Sequence, residues 1–140
     1  MKLKIRDINN MPLLMKAIRE YNRKLIRVGI FDPFNAYKAY VAEFGNQENP
    51  VGPVPARPFM RRTSDKLEKE SYFIDDLLSL SVQESLEKIA QIIADSMREE
   101  IDNASSWAEP LREYTRRKKG HDRILIDTLE MYNSIEGIVI

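Results

Sequence analysis

The sequence contains no cysteine, one histidine and one tryptophan in 140 residues. Without cysteine there is no disulfide scaffold, no thiolate nucleophile and no cysteine-based zinc site. A lone histidine, His121, excludes a His/His metal pair. Runs of about 18 apolar residues are also missing, so no membrane span is expected. The N-terminal Met1–Arg6 stretch is basic but lacks an apolar region behind it, which argues against a secretory signal. Excess charge is missing too, because 22 Lys and Arg balance 22 Asp and Glu. That neutrality removes the crude electrostatic case for a nucleic-acid binder, while leaving room for a local basic patch. What is present, 43% hydrophobic and 31% charged residues, suits one folded domain over residues 1–140. The expected compartment is the cytoplasm, or an assembly built there.

The neutral total hides unequal segments. Residues 1–31 carry eight basic side chains against Asp7 and Glu20, leaving +6. Residues 64–103 carry eleven acids against Lys66, Lys69, Lys88 and Arg98, leaving −7. Residues 112–123 carry six basic groups against Glu113 and Asp122, leaving +4. Such blocks are either solvated faces or complementary surfaces through which copies pair head to tail.

Along the chain, Asn10 is placed to cap a first helix with Pro12 in its first turn, and Leu13, Leu14, Ala17, Ile18 and Tyr21 recur at helical spacing. Lys24–Phe31 reads as a strand that Asp32-Pro33 stops. A short helix follows, with Gly45 as its C-cap. Residues 45–58 hold Pro50, Pro53, Pro55 and Pro58. So many fixed φ angles predict a stiff, extended loop or arm. A helix is expected from Thr63 or Ser64, with Leu67, Ile74 and Leu78 on its stripe, and a break near Ser79. Ser81-Val82-Gln83-Glu84 has the form of a capping box. Val82, Leu86, Ile89, Ile93, Met97 and Ile101 then mark a long amphipathic helix with an acidic outer face. After a turn at Asn103–Ser106, Pro110 is expected to open a basic helix ending at Gly120, and Asp127–Glu130 to cap a last short helix. Ser134–Ile140 reads as a terminal strand. The sum is an α+β fold, a small antiparallel or mixed sheet packed against several helices.

Catalytic chemistry is hard to find. His121 lies in a Lys-Lys-Gly-His-Asp-Arg loop, which suits a structural or surface role. Asp75-Asp76 and Glu99-Glu100 are helix neighbours whose side chains diverge by about 100°. No phosphate loop or dinucleotide fingerprint occurs. The expectation is no enzyme, no catalytic residues, no metal and no cofactor. Two basic clusters, Arg57–Arg62 and Arg112 with Arg116, Arg117, Lys118 and Lys119, sit among aromatics and suit either phosphate contacts or ordinary surface charge. Trp107 is expected in the core.

Three stretches in order carry a family likeness: Tyr40–Gly45 with its Glu43-Phe44-Gly45 turn; Val54–Arg61 with Pro55-Ala56-Arg57-Pro58-Phe59; and Pro110–Thr115 leading to Leu125-Ile126-Asp127-Thr128-Leu129-Glu130-Met131 and Ser134-Ile135. This arrangement resembles the tail-completion (head–tail joining, or neck) proteins of long-tailed bacteriophages. It is also similar to the related virion-morphogenesis proteins of contractile-tailed phages. The likeness runs from about residue 28 to residue 138, and Pro55–Phe59 is its most specific piece. One departure is Leu129, where the family has glycine after Asp-Thr; a helix N-terminus at Asp127 is expected in place of a tight positive-φ turn. Another is a short end after Ser134-Ile135, which implies a smaller terminal sheet.

The resemblance implies a structural virion protein at the head–tail junction, assembled in the host bacterial cytoplasm. It implies a ring, typically sixfold, between the head connector or head-completion protein and the tail terminator or tail tube. DNA would pass through the lumen without sequence-specific binding. It implies no catalysis, no cofactor and no membrane. Alternatives are another tail protein, such as a terminator, or a small nucleic-acid-binding module using residues 112–119. Pro55, Arg57, Pro58, Phe59 and Arg61 are the candidate partner contacts, with Phe59 either an apolar anchor for a partner or a seat for the loop on the chain's own core. Glu43, Phe44, Gly45, Asp127 and Thr128 are the candidate structural turns.

Overall fold

The computed structural model describes residues 11–69 and 81–140. Helix α1 spans Met11–Asn22, strand β1 Ile26–Ile30, helix α2 Pro33–Phe44, and helix α3 Phe59–Lys69. Helix α4 spans Val82–Asp102, a 3-10 turn Ala104–Ser106, helix α5 Glu113–Lys119, helix α6 Glu130–Asn133, and strand β2 Ile135–Val139. The fold is therefore α+β, as expected. Asn10, Ile74, Leu78 and the break near Ser79 lie outside the described residues.

The two strands pair antiparallel across nearly the whole chain, with Ile26 opposite Val139, Val28 opposite Gly137 and Ile30 opposite Ile135. Leu25 and Ile140 extend the ladder with reciprocal backbone bonds of 2.9 and 2.7 Å. Period-two alternation puts Ile135 and Gly137 toward α4, while Glu136 and Ile138 face outward. Gly137 lets the sheet approach closely: a Cβ there would lie 2.6 Å from the Ala90 carbonyl oxygen.

Helix α4 is the spine. Ser81 and Glu84 form the capping box read from the sequence, with the Ser81 N–H donating to Glu84 at 3.0 Å. Leu86, Ala90, Ala94, Met97 and Ile101 are buried. Ala94, Met97 and Ile101 join Ala39, Phe59, Ile126, Met131 and Ile135 in one main core. A smaller cluster of Ala104, Leu111 and Ile124 adjoins it, with Trp107 and Leu125 packed against both. Trp107 is thus a core plug. Its Nε1–H donates to the Glu100 carbonyl at 3.0 Å, and the Arg62 guanidinium lies 4.5 Å over its ring. The same Arg62 pairs with the buried Glu100 carboxylate at 3.0 Å, tying α3 to the end of α4.

In α1, Ile18 and Tyr21 are exposed, and the larger contacts of the helix are with α4. Asp32-Pro33 stops the strand as read and also starts the next helix, with Asp32 as N-cap of α2 and Pro33 in its first turn. Three local readings need correction: the starts of α3 and α5, and the cap of α6. Helix α3 begins at Phe59, not Thr63 or Ser64, because the Glu43 carboxylate accepts from the Met60 and Arg61 N–H groups at 3.0 Å each. That cap comes from another helix, so no local residue signals it. Helix α5 begins at Glu113 after Arg112, three residues later than Pro110. Asp127 does not cap α6, whose N-cap is Leu129 at φ 68°. Lys119 Nζ binds the Ile126 carbonyl at 2.7 Å and the His121 ring meets the Asp127 carbonyl at 3.1 Å, so this stretch is pinned to the end of α5 instead.

Candidate functional site

The Glu43–Gly45 turn, the proline-rich loop and the 125–131 stretch meet in space. Gly45 holds φ 73°, and a Cβ there would lie 2.6 Å from the Val54 carbonyl oxygen, so glycine is required. Asn46 and Val54 pair as an antiparallel bridge, which folds back on itself the stretch read as a stiff, extended loop or arm. The Arg57 N–H donates to the Ala42 carbonyl at 2.6 Å. Its guanidinium donates to the Glu109 carbonyl at 3.2 and 3.0 Å, locking the loop to the residues before α5.

Between these pieces lies a cleft of about 360 Å³. Val41, Val54, Leu111, Leu125 and Met131 make much of its wall, and Arg57 and Lys119 add two cations. Burial lowers the pKa of both. For Arg57 the nearby Glu109 opposes the shift, and for Lys119 Asp127 opposes it while Arg57 adds to it. A second groove of about 500 Å³ shares Arg57, Leu111 and Lys119 and continues past Tyr114 and Lys118. Arg112 closes over the loop tip, where a Cβ on Gly52 would meet its guanidinium at 2.6 Å.

The candidate partner contacts divide. Phe59 is 0% exposed, so it seats the loop on the chain's own core and is no surface anchor. Pro55, Arg57 and Pro58 are half-buried, and Arg61 is exposed. Of the structural-turn residues, Glu43 is buried, Phe44 is 57% exposed, and Asp127 and Thr128 face solvent. Arg112, Arg116, Arg117 and Lys118 are exposed, with Arg117 paired to Glu113. Lys119 departs from this basic patch: it is half-buried and holds backbone carbonyls. His121 staples its loop, accepting the Arg123 N–H on Nδ1 at 3.2 Å. Among the described residues no group of His, Asp or Glu side chains gathers closely enough to hold a metal ion.

One surface went unread in the sequence. Phe34, Tyr37, Tyr40 and Phe44 all project from α2 and are 57–66% exposed. Their spacing marks a helical stripe, but spacing alone does not say whether a stripe is covered. Protein-family models, characterised proteins and solved structures give no match to this chain.

Proposed function

We propose that the chain is a structural subunit of a phage neck, a ring between head connector and tail through which DNA passes. The observation that carries this reading is the convergence of the three resemblance stretches. They are far apart in sequence, yet Glu43 caps the helix that Phe59 begins, Arg57 bonds to Ala42 and to Glu109 just before the third stretch, and within that third stretch Lys119 holds Ile126. Leu129 adds support. It adopts φ 68°, the conformation that glycine would supply at that place in the family pattern.

The surface suits a subunit that meets other proteins. Exposed aromatics line α2, and Glu84, Glu87, Asp95, Glu99 and Asp102 face solvent along α4. An acidic wall would let DNA slide, since few phosphates would be neutralised. Electron microscopy of the virion tests the reading: density for this chain as a ring at the head–tail junction is expected, and its absence there removes the idea. A second reading, a small nucleic-acid-binding module, rests on the exposed Arg116, Arg117, Lys118 and Tyr114. It requires a salt-dependent gel shift that is lost when those cations are neutralised.

A further inference from the structure

Helix α2 is apolar on two sides and covered on one. Its buried residues are Ala39 and Glu43, and the helix packs against β1, α3 and α6. At about 100° per residue, Tyr37, Tyr40 and Phe44 lie within about 60° of one another, Phe34 lies about 60° further round, and the group is roughly opposite Ala39 and Glu43. All four rings are 57–66% exposed. Tyr40 and Phe44 hold each other, with ring centroids 5.0 Å apart. A helix apolar all round is ordinarily buried all round, and a contiguous apolar patch marks a contact surface. The polar side chains of α2 are engaged within the chain. Asn35 donates to Asp32 at 2.7 Å, and Glu43 accepts from the first turn of α3. Lys38 pairs with Glu130 at 3.6 Å and lies 4.4 Å from the centre of the Phe34 ring. The stripe therefore holds no unpaired charge for an acidic or basic partner to match.

We propose that this face pairs with the same face of a second copy, α2 crossing α2 about a two-fold axis. Area supports it. Four aromatic side chains at these exposures offer about 500 Å² per copy, so the pair covers about 1,000 Å² in all. That reaches the lower bound for a specific interface. Shape supports it too. A cleft of about 360 Å³ lies on the Tyr37 and Val41 flank of the helix, and one of about 370 Å³ on the Ala36 and Tyr40 flank. One surface thus carries both projecting rings and recesses to receive them, as an isologous contact requires. A ring entering the first cleft meets Arg57 and Lys119 as cation–π partners, so neither charge is stranded. A two-fold axis sets like beside like, and here the one cation of the helix is already neutralised by Glu130. The tyrosine hydroxyls can stay in the wet rim while their rings are covered. Such a contact closes at two copies, so it goes beyond the neck reading and does not rest on it.

Sedimentation equilibrium of the full chain, from about 1 μM to about 1 mM, tests the contact. A reversible monomer–dimer equilibrium is expected. Its constant should change less than about threefold between about 0.01 and 0.15 M salt, because no unpaired charge lies on the face. The double variant Tyr37→Glu, Tyr40→Glu should weaken it about tenfold or more, since carboxylates would meet across the axis. Both side chains are exposed, so circular dichroism should show the fold unchanged. Should the double variant unfold, Tyr37→Ser gives the same test by removing one ring. A chain that stays monomeric to about 1 mM, the result expected if a different protein covers α2, overturns the proposal. Association that ignores these substitutions overturns it too, as does growth beyond two copies that they abolish. A monomeric result leaves the microscopy test of the neck reading intact, and absence of the chain from the head–tail junction leaves the dimer measurement standing.

Discussion

Glu43 and Leu129 carry the clearest consequences at the residue scale. Glu43 is 8% exposed, and its two oxygens accept the Met60 and Arg61 N–H groups. Glu43→Ala would leave two helix-start donors unsatisfied beside a new void. Thermal unfolding should show a loss of about 1–3 kcal/mol. Leu129 holds φ 68° while 40% exposed. A non-glycine residue in that region costs about 1–2 kcal/mol. Leu129→Gly relieves that strain but adds unfolded-state entropy. Urea denaturation should find it unchanged or up to about 1 kcal/mol more stable. Leu129→Val, β-branched at positive φ, should lose about 1 kcal/mol or more.

Helix α4 dominates at the element scale, and its two ends of control are a cap and a close approach. Ser81→Ala removes the side-chain acceptor for the Glu84 N–H and should cost about 1 kcal/mol in chemical denaturation. The bond from the Ser81 backbone holds the Glu84 carboxyl below its ordinary range. Its contribution is complete above the unfolded glutamate value of about 4.3, and is lost as pH falls through the lower folded value. Glu84→Gln should therefore flatten the acid side of the stability–pH curve just below that value, read by circular dichroism. At the other face, Gly137→Ala would drive a methyl to 2.6 Å from the Ala90 carbonyl oxygen and 2.8 Å from its Cβ. Backbone stands in the way, so the sheet must move off α4. A loss of about 1–3 kcal/mol is expected in thermal unfolding.

For the whole molecule, the described parts of the charge blocks lie largely at the surface. Lys16, Arg19, Arg23, Lys24 and Arg27 are exposed in and after α1, and the carboxylates of α4 are exposed along its outer side. If copies associate through such complementary faces, sedimentation velocity should show self-association at low ionic strength that weakens as salt shortens the Debye length from about 30 Å at 0.01 M to about 8 Å at 0.15 M. Salt-indifferent association would point instead to the aromatic face of α2.

The sequence alone determined the elements whose signals are local. Ser81 and Glu84 lie within one turn of each other, the α4 stripe repeats along one helix, and β-branched residues bounded by Asp32-Pro33 define β1. Gly45 and Gly120 likewise end their helices as read. Only the tertiary structure decided where α3 begins, because its cap is Glu43 from another helix, some seventeen residues away. Likewise, Leu129 takes a glycine-like turn because Lys119 and His121 pin the stretch before it. Burial of Phe59 and exposure of the α2 aromatics were also undecidable from spacing, since a stripe shows which residues share a face and not what covers it. The cleft belongs to the same class: Arg57 and Lys119, 62 positions apart, share one wall only because loop and helix close on the same core.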